Sequence, residues 1–403
     1  MLNPCGKVPR WRDTNATGKL ALPANLFRQS RLKSQLASIS KYFSKNGNSF
    51  MTAPTAFGRV LPLNKIWLDK LAPEEVIEPD LPIVDTHHHL WAALPAALPQ
   101  GKGKEDHTYL LEQFAQDVDS SHHTLATVYV ECHNSYRDSG PAAFKPVGET
   151  EFAAAIGIAS DASRPGKARI CAGIVGSADL SLGAPVRAVL QAHIEAGQGR
   201  FRGVRATAGY DPDPIIGNTS PVPGVYLRPE FRQGVAELTA LGLSLDAWVF
   251  FHQLGDLIDL AQACPDTTII MGHCGGPLGY GPYTGKRDEV FAHWKKQVTQ
   301  LAAYPNVVAK LGGMMIRLAA IDYGKLPAPP SSAEIASLWR PYIETCIELF
   351  GAERCVFESN FPVEKQGANW VTLWNAFKLI TAGASASEKL AMYSGTAQRV
   401  YRL

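Results

Sequence analysis

The fold class that the 403-residue sequence predicts is α/β, in the form of a (β/α)8 barrel. Eight short runs rich in β-branched residues alternate with amphipathic segments. Strands that alternate with helices pair in parallel, because each return needs a crossover. Eight such units in about 300 residues suit a closed barrel. An open doubly wound sheet is the alternative, although no GxGxxG follows the first run, as it does in dinucleotide-binding sheets.

The predicted strands are short and evenly spaced. In chain order they cover residues 82–88, 126–133, 169–176, 201–207, 243–250, 267–274, 306–313 and 355–362. Amphipathic segments at 186–197, 231–242 and 333–351 are predicted helices, and a further helix at 254–265 ends at a proline.

The first 59 residues differ in character from the barrel that we predict for residues 60–403. The first fifty carry nine Lys or Arg and a single acid, Asp13. The stretch 25–43 has the pattern of a basic amphipathic helix, which is typical of a mitochondrial presequence. A disordered extension, or a start codon upstream of the true one at Met51, explains the composition equally well. We therefore expect a cytoplasmic protein, or a mitochondrial one if residues 1–50 act as a presequence.

The overall composition is that of an ordinary globular protein: 46% of the residues are hydrophobic and the net charge is +2. This balance gives no reason to expect binding to nucleic acid or to an anionic membrane. No run of 18 apolar residues predicts a transmembrane helix. Seven scattered cysteines without CxxC spacing indicate a reducing compartment. A small-molecule substrate is the expected partner, and a homo-oligomer is compatible with the sequence.

Polar residues cluster where the predicted strands end, which is where barrel enzymes carry their chemistry. The candidates at these positions are His87, His88, His89, Glu131, His133, Arg202, Arg205, His252, His273, Lys310, Glu358, Ser359 and Asn360.

Several of these histidines are candidate metal ligands. His87 and His89 stand two apart on an extended chain, so their side chains point the same way and can chelate one ion, whereas His88 faces the helices. The alternative is a hydrogen-bonded cluster without metal. His273 precedes two glycines that allow a close approach, and its alternative is a structural role. His252 is a candidate ligand or the cap of a helix that begins near Leu254.

Basic and aromatic residues are candidate substrate contacts. Arg205 lies nearer the strand end than Arg202 and suits a bidentate contact with a substrate carboxylate, unless it forms a salt bridge in the barrel wall. Lys310 has the same alternatives, with Glu358 or Glu131 as its partner. Trp91 and Tyr280 complete the predicted substrate-binding set. Tyr280 lies in the Gly- and Pro-rich stretch 276–287, a predicted rim element or subunit contact.

The motifs IVDTHHHLW, FRGVR, IIMGHCGGP, VVAKLGG and ESNFPVEK resemble, in order, those of the lactonase-type branch of the amidohydrolase superfamily. The branch includes sugar lactonases and 2-pyrone-4,6-dicarboxylate lactonase, and the resemblance covers residues 80–403. It implies a (β/α)8 barrel that hydrolyses a small ester, lactone or amide. By the family pattern His87, His89 and His273 are site histidines, and His252 matches the strand-five histidine unless a one-residue offset puts Phe251 there.

One position departs from the family pattern. The superfamily has an aspartate after strand eight that binds metal and moves a proton, and this chain has Asn360. An amide oxygen is a weaker ligand and accepts no proton near neutral pH. The base is therefore expected to be Glu358, on the same side as Asn360, or Glu131 or a histidine. One Zn²⁺ or Mn²⁺ is the expected cofactor, and metal-independent action by the histidines and arginines is the alternative.

Three functions follow from this pattern. The first is a hydrolase that opens a lactone or similar cyclic ester, with Arg205 on a substrate carboxylate. The second is a metal-dependent decarboxylase of an aromatic acid. The third, suggested by Asn360, is a catalytically weakened barrel that binds a ligand or serves as an accessory protein.

Overall fold

Eight parallel strands follow one another around the sheet in chain order, and helices alternate with them. They are seen in a computed structural model that describes residues 65–91, 108–315 and 326–403. The predicted (β/α)8 barrel is confirmed. The predicted extension 1–59 and its helix at 25–43 lie outside the described residues, so both stay predictions.

The strands match the predicted order. They are β1 Ile83–His88, β2 Thr124–Val130, β3 Arg169–Gly176, β4 Phe201–Thr207, β5 Ser244–Trp248, β6 Ile269–Met271, β7 Val307–Leu311 and β8 Cys355–Phe357. All sequential neighbours from β1 to β8 pair in parallel. The chain after β8 meets the end of β1, where the His89 amide donates to the Phe361 carbonyl at 2.7 Å.

Each strand is followed by one main helix. These are α1 Leu111–Val118, α2 Val147–Ser163, α3 Val186–Ala196, α4 Pro229–Ala240, α5 Leu254–Ala263, α6 Arg287–Ala302, α7 Ser332–Phe350 and α8 Trp370–Ile380. Short helices lie at Lys65–Leu68, Ala386–Leu390 and Thr396–Tyr401, with a π-helical turn at Ala391–Gly395. No helix in the described part of the chain is long and apolar enough to cross a membrane.

Several strands end earlier than their apolar runs predict. Strand β8 stops at Phe357 instead of residue 362, and β6 stops at Met271 instead of residue 274. The cause lies in the backbone, because His133, His273 and Asn360 adopt positive φ angles of 61°, 47° and 52°. Such angles are uncommon for residues other than glycine and interrupt an extended strand.

The barrel interior is filled by side chains of the strands, and the last helix of the chain closes one end. Apolar residues of the strands, most of them valines, form one buried cluster with Ala397, Val400 and Tyr401. These three belong to the short helix at Thr396–Tyr401. The C-terminal helix therefore closes the end of the barrel opposite the strand termini that carry the polar residues.

Candidate active site

The ends of β1 and β8 are joined by a buried carboxylate. Asp85 accepts hydrogen bonds from the Ser359 amide and hydroxyl, both at 2.7 Å. One residue further on, the Asn360 amide donates to the His87 carbonyl at 2.8 Å. Burial raises the pKa of Asp85 to about 7, although the hydrogen bonds from Ser359 oppose the rise. These contacts fix the histidines at the end of β1 against Glu358 and Asn360 after β8.

His87, His273 and Glu358 form a buried group whose potential ligand atoms lie within 4.8 Å of one another. The Nδ1–H of His273 donates to Glu358 Oε1 at 2.7 Å. Glu358 Oε2 lies 2.8 Å from His87 Nδ1, but neither buried atom has a hydrogen-bond partner among the described residues. One carboxylate thus stands between two imidazoles, and one of its two contacts is unsatisfied.

His89 faces the same centre from the other side of His87. Its Nδ1 lies 2.8 Å from the Val130 carbonyl, so the ring proton sits on Nδ1 and the lone pair on Nε2. That Nε2 lies 3.2 Å from His87 Nε2. A histidine whose second nitrogen donates to a backbone carbonyl is arranged as metal-ligating histidines are. His88 points outward, as strand alternation predicts, and its ring stacks on Phe114 of α1.

The protonation of His87 creates an electrostatic conflict. Burial lowers the pKa of His87 well below 6.5, and the Lys310 charge lowers it further, so the ring is neutral and has one N–H. If the proton is on Nε2, the Nδ1 lone pair faces Glu358; if it is on Nδ1, the Nε2 lone pair faces that of His89. Either tautomer leaves two acceptors close together, and a cation between them would remove the repulsion.

Two glycines after β7 allow this close packing. A Cβ on Gly313 would lie 1.9 Å from His273 Nδ1, and one on Gly312 would lie 2.6 Å from Glu358 Cγ. Their φ angles of 64° and 151° also fall in the region that favours glycine. The glycine pair in VVAKLGG is therefore required by the positions of His273 and Glu358.

Arg205 and Glu131 form a salt bridge in the barrel wall. Arg205 Nε donates to Glu131 Oε1 at 2.7 Å, and its Nη2 donates to the Glu131 carbonyl. Burial would raise the pKa of Glu131, but the Arg205 charge and hydrogen bond hold it below its usual value. Glu131 is therefore ionised and occupied by Arg205, which makes it a poor proton acceptor.

Lys310 lies deeper in the barrel and is fully buried. Its Nζ lies 2.5 Å from Asp246 Oδ1 and 3.2 Å from the Thr86 carbonyl. The Tyr401 hydroxyl donates to the same Asp246 oxygen at 2.9 Å. The sequence pattern left Glu358 or Glu131 as the partner of Lys310, and the structure gives Asp246 instead. The C-terminal helix supplies the third member of this group.

Of the remaining predicted site residues, His252 and Tyr280 lie towards the rim and Trp91 lies beside His89. His252 Nε2 lies 3.1 Å from the Tyr210 carbonyl and 3.7 Å from Asp211, outside the group of His87, His273 and Glu358. The Tyr280 hydroxyl donates to the Ile215 carbonyl at 3.0 Å. Trp91 is buried and stacks on His89 at 6.1 Å between ring centroids. The structure therefore brings together His87, His89, His273 and Glu358, with Trp91 beside them.

Three buried acids near the site were not singled out from the sequence. Asp85 and Asp246 lie inside β1 and β5, and a charged residue in an apolar strand was the signal available for both. Glu364 begins a short 3-10 helix after β8, in a connecting segment where an acid is ordinary, so no sequence signal distinguished it. Its Oε1 accepts from Asn360 Nδ2 at 3.3 Å, and its Oε2 accepts from the Met315 amide at 2.7 Å.

A family model described as amidohydrolase matches residues 84–403, which contain the barrel and its strand-end histidines. The uncharacterized protein y4mH of Sinorhizobium fredii is 32% identical over 336 residues, which cover 80% of this chain and 99% of that protein. The chain belongs to the amidohydrolase family. The predicted family and hydrolase class are thereby confirmed.

Two further amidohydrolase comparisons extend this result. An L-fucono-1,5-lactonase of Burkholderia multivorans is 28% identical over 180 residues, covering 43% of this chain and 56% of that enzyme. An amidohydrolase from the same species, solved with bound HEPES and with bound zinc, gives TM-scores of 0.60 and 0.59. It is 23% identical, and the match covers 80% of this chain and 99% of that one, which shows a common fold.

Proposed function

We propose that this amidohydrolase opens a lactone or a similar small cyclic ester. The observation that carries the proposal is the buried group of His87, His273 and Glu358 at the strand ends, with His273 hydrogen-bonded to Glu358 and His89 Nε2 3.2 Å from His87 Nε2. The similarity to an L-fucono-1,5-lactonase supports a lactone as the substrate class.

The site residues fit one divalent metal ion. His87 and His89 would hold it, with His273 and Glu358 in reach, and imidazole and carboxylate donors suit Zn²⁺ or Mn²⁺. An ion held by the Nε2 atoms of His87 and His89, which lie 3.2 Å apart, would leave the proton of His87 on Nδ1, where it faces Glu358 Oε2 at 2.8 Å and satisfies both buried atoms. The bound zinc in the Burkholderia multivorans amidohydrolase also supports this fit. Such an ion, when bound, polarises a carbonyl and lowers the pKa of water.

The proton of the attacking water is accepted by the His273–Glu358 pair. Because the Nδ1–H of His273 donates to Glu358, the His273 Nε2 carries the lone pair. Glu358 fixes this tautomer and stabilises the imidazolium when the proton arrives, as the acid does in a catalytic triad. Asn360 accepts no proton near neutral pH, and its oxygen serves as a hydrogen-bond acceptor.

Substrate is held by groups around this pair. Arg205 binds a substrate carboxylate with the part of its guanidinium that the Glu131 salt bridge leaves free, since Nε and Nη2 are engaged and the side chain is 15% exposed. Trp91, stacked on His89, covers the ring of a bound lactone, and Tyr280 belongs to the rim. His252 contributes to the substrate-binding surface at the rim as well.

The function is tested by a screen of sugar lactones, pyrone carboxylates and hydroxybenzoates, with metal content measured on the same sample. Lactone opening by protein with about one equivalent of zinc or manganese, lost together with the metal on chelation, supports the proposal. Metal-free protein with full lactonase activity would refute the metal part. Carbon dioxide release from a hydroxybenzoate without lactone opening would identify a decarboxylase instead.

Glu358→Gln tests the proton-accepting pair. Loss of the carboxylate removes the charge that stabilises the His273 imidazolium, and we expect kcat to fall about 100-fold or more. Glu348→Gln, a position on α7 away from the site, is the matched control and should keep normal activity. Wild-type kcat in Glu358→Gln would exclude Glu358 from the mechanism.

A further inference from the structure

Glu364 contacts the site from behind Asn360. It is 1% exposed and begins the short 3-10 helix after β8. Two hydrogen bonds join it to Asn360: the Glu364 amide donates to the Asn360 carbonyl at 3.1 Å, and Asn360 Nδ2 donates to Glu364 Oε1 at 3.3 Å. Its second carboxyl oxygen accepts from the amide of Met315 after β7. Burial raises the pKa of Glu364 to about 8, and the hydrogen bonds from the Met315 amide and from Asn360 Nδ2 oppose the rise. When Glu364 is ionised, at a pH above about 8, both of its carboxyl oxygens accept from these N–H donors.

We propose that Glu364 is a positioning residue that decides which end of the Asn360 amide faces the barrel mouth. A side-chain amide has a donor end and an acceptor end of nearly equal shape, so its orientation is set by its hydrogen-bond partners. The ionised carboxylate of Glu364 accepts at both oxygens and selects the NH2 end, which leaves Asn360 Oδ1 for a ligand at the mouth. The kinetic consequence of this orientation rests on the function proposed above.

The same contact accounts for an amide, rather than an acid, at position 360. An aspartate there would place a second carboxylate against Glu364 at the 3.3 Å contact, with Glu358 two residues away. At about pH 9, where Glu364 is ionised, like charges at that distance and shielded from water disfavour ionisation of one carboxyl and destabilise the fold. Asn360 and Glu364 therefore work as a pair, and each restricts what the other can be.

Glu364→Gln is the sharpest perturbation, because it changes one acceptor to a donor without changing shape. The Met315 amide still requires an acceptor, so the oxygen of the introduced glutamine must face Met315 and its NH2 must face Asn360. Two NH2 groups cannot face each other, and the Asn360 amide must turn over. The mouth then meets a donor in place of an acceptor.

The test is a cycle of Glu364→Gln, Asn360→Asp and the double variant, each measured for kcat, KM and thermal unfolding midpoint at about pH 9, where the Glu364 carboxyl is ionised. We expect Glu364→Gln to lose about tenfold or more in kcat with a smaller change in KM. Asn360→Asp should lower the midpoint by roughly 5 °C, because it brings two carboxylates together. The double variant should recover both losses, since the introduced aspartate accepts from the introduced glutamine and still presents an oxygen to the mouth.

A matched control is Asn369→Asp. Asn369 caps α8 through its side-chain oxygen, which aspartate replaces without cost, so its midpoint and kcat should not change. Near wild-type kcat in Glu364→Gln, or additive effects in the double variant, would overturn the proposal. The unfolding midpoints need no substrate: if the wild type opens no lactone, the proposed function fails, while non-additive midpoints still support the pairing and additive ones refute it.

Discussion

Substitution of Lys310 by methionine tests whether this lysine binds substrate, as the sequence suggested, or serves the interior of the barrel. Its amine has no exposed surface and lies 2.5 Å from Asp246 Oδ1. Methionine keeps most of the side-chain volume and removes the charge. Asp246 then stays buried with the Tyr401 hydroxyl, at 2.9 Å, as its neutral hydrogen-bond donor.

The size of the loss follows from that environment. Removing one partner of a buried ion pair costs about 3–5 kcal/mol, because the other charge stays buried without compensation. The Tyr401 hydrogen bond offsets part of this, so we expect Lys310→Met to lose about 3 kcal/mol of unfolding free energy. Adding Asp246→Asn removes the uncompensated charge, and the double variant should recover about 2 kcal/mol of the loss.

Urea unfolding followed by circular dichroism measures these free energies, and lactone opening measures function on the same samples. A structural role predicts that the double variant regains stability and keeps most of its activity, with KM nearly unchanged. The reasoning is refuted if Lys310→Met is as stable as the wild type. A restored fold with KM raised about tenfold or more would instead support the substrate role.

Two further predictions concern the site and its surroundings. Gly313→Ala should lower kcat about 100-fold, because its Cβ would meet His273 Nδ1. Gly351→Ala, with φ of 76° and no atom within 4 Å of its Cβ, should only lose about 1 kcal/mol of stability and keep its kcat. Equal kcat values in the two variants would contradict the crowding argument. Burial raises the pKa of Glu149 from 4.5 to about 8, so the folded state keeps a proton that the unfolded state releases, and stability falls as the pH rises from 4.5 to about 8 and then levels off. Glu149→Gln should remove about 1 kcal/mol of that fall between pH 7 and 9, and unchanged pH dependence in denaturant unfolding would refute the assignment.

The barrel and the position of its site could be predicted because both depend on local sequence patterns. Strand runs, helix periodicity and histidines at strand ends are visible within a few residues of each other. Alternation within an extended strand placed His87 and His89 inward and His88 outward, and the contact of His88 with Phe114 agrees. The same rule predicts Glu358 on the side of Asn360, and the structure places Glu358 next to His87 and His273.

Contacts between distant parts of the chain could not be predicted in this way. The partner of Lys310 is Asp246, and the third member of the group comes from Tyr401 in the last helix. Many pairings of buried charges satisfy the same electrostatic requirement, so the sequence offered Glu358 or Glu131 as the partner and did not single out Asp246. The early ends of β6 and β8 were missed for a related reason, because positive φ at His273 and Asn360 is imposed by their surroundings.

The acid that position 360 lacks is supplied by its neighbours. Glu358 lies two residues earlier and contacts the Nδ1 atoms of both His87 and His273. Glu364 lies on the far side of the Asn360 amide. A third carboxylate between them would add like charge in a buried space, where the cost is greatest. Asn360 is therefore consistent with an active hydrolase whose carboxylate belongs to Glu358. The amide at position 360 is by itself no argument for a weakened enzyme.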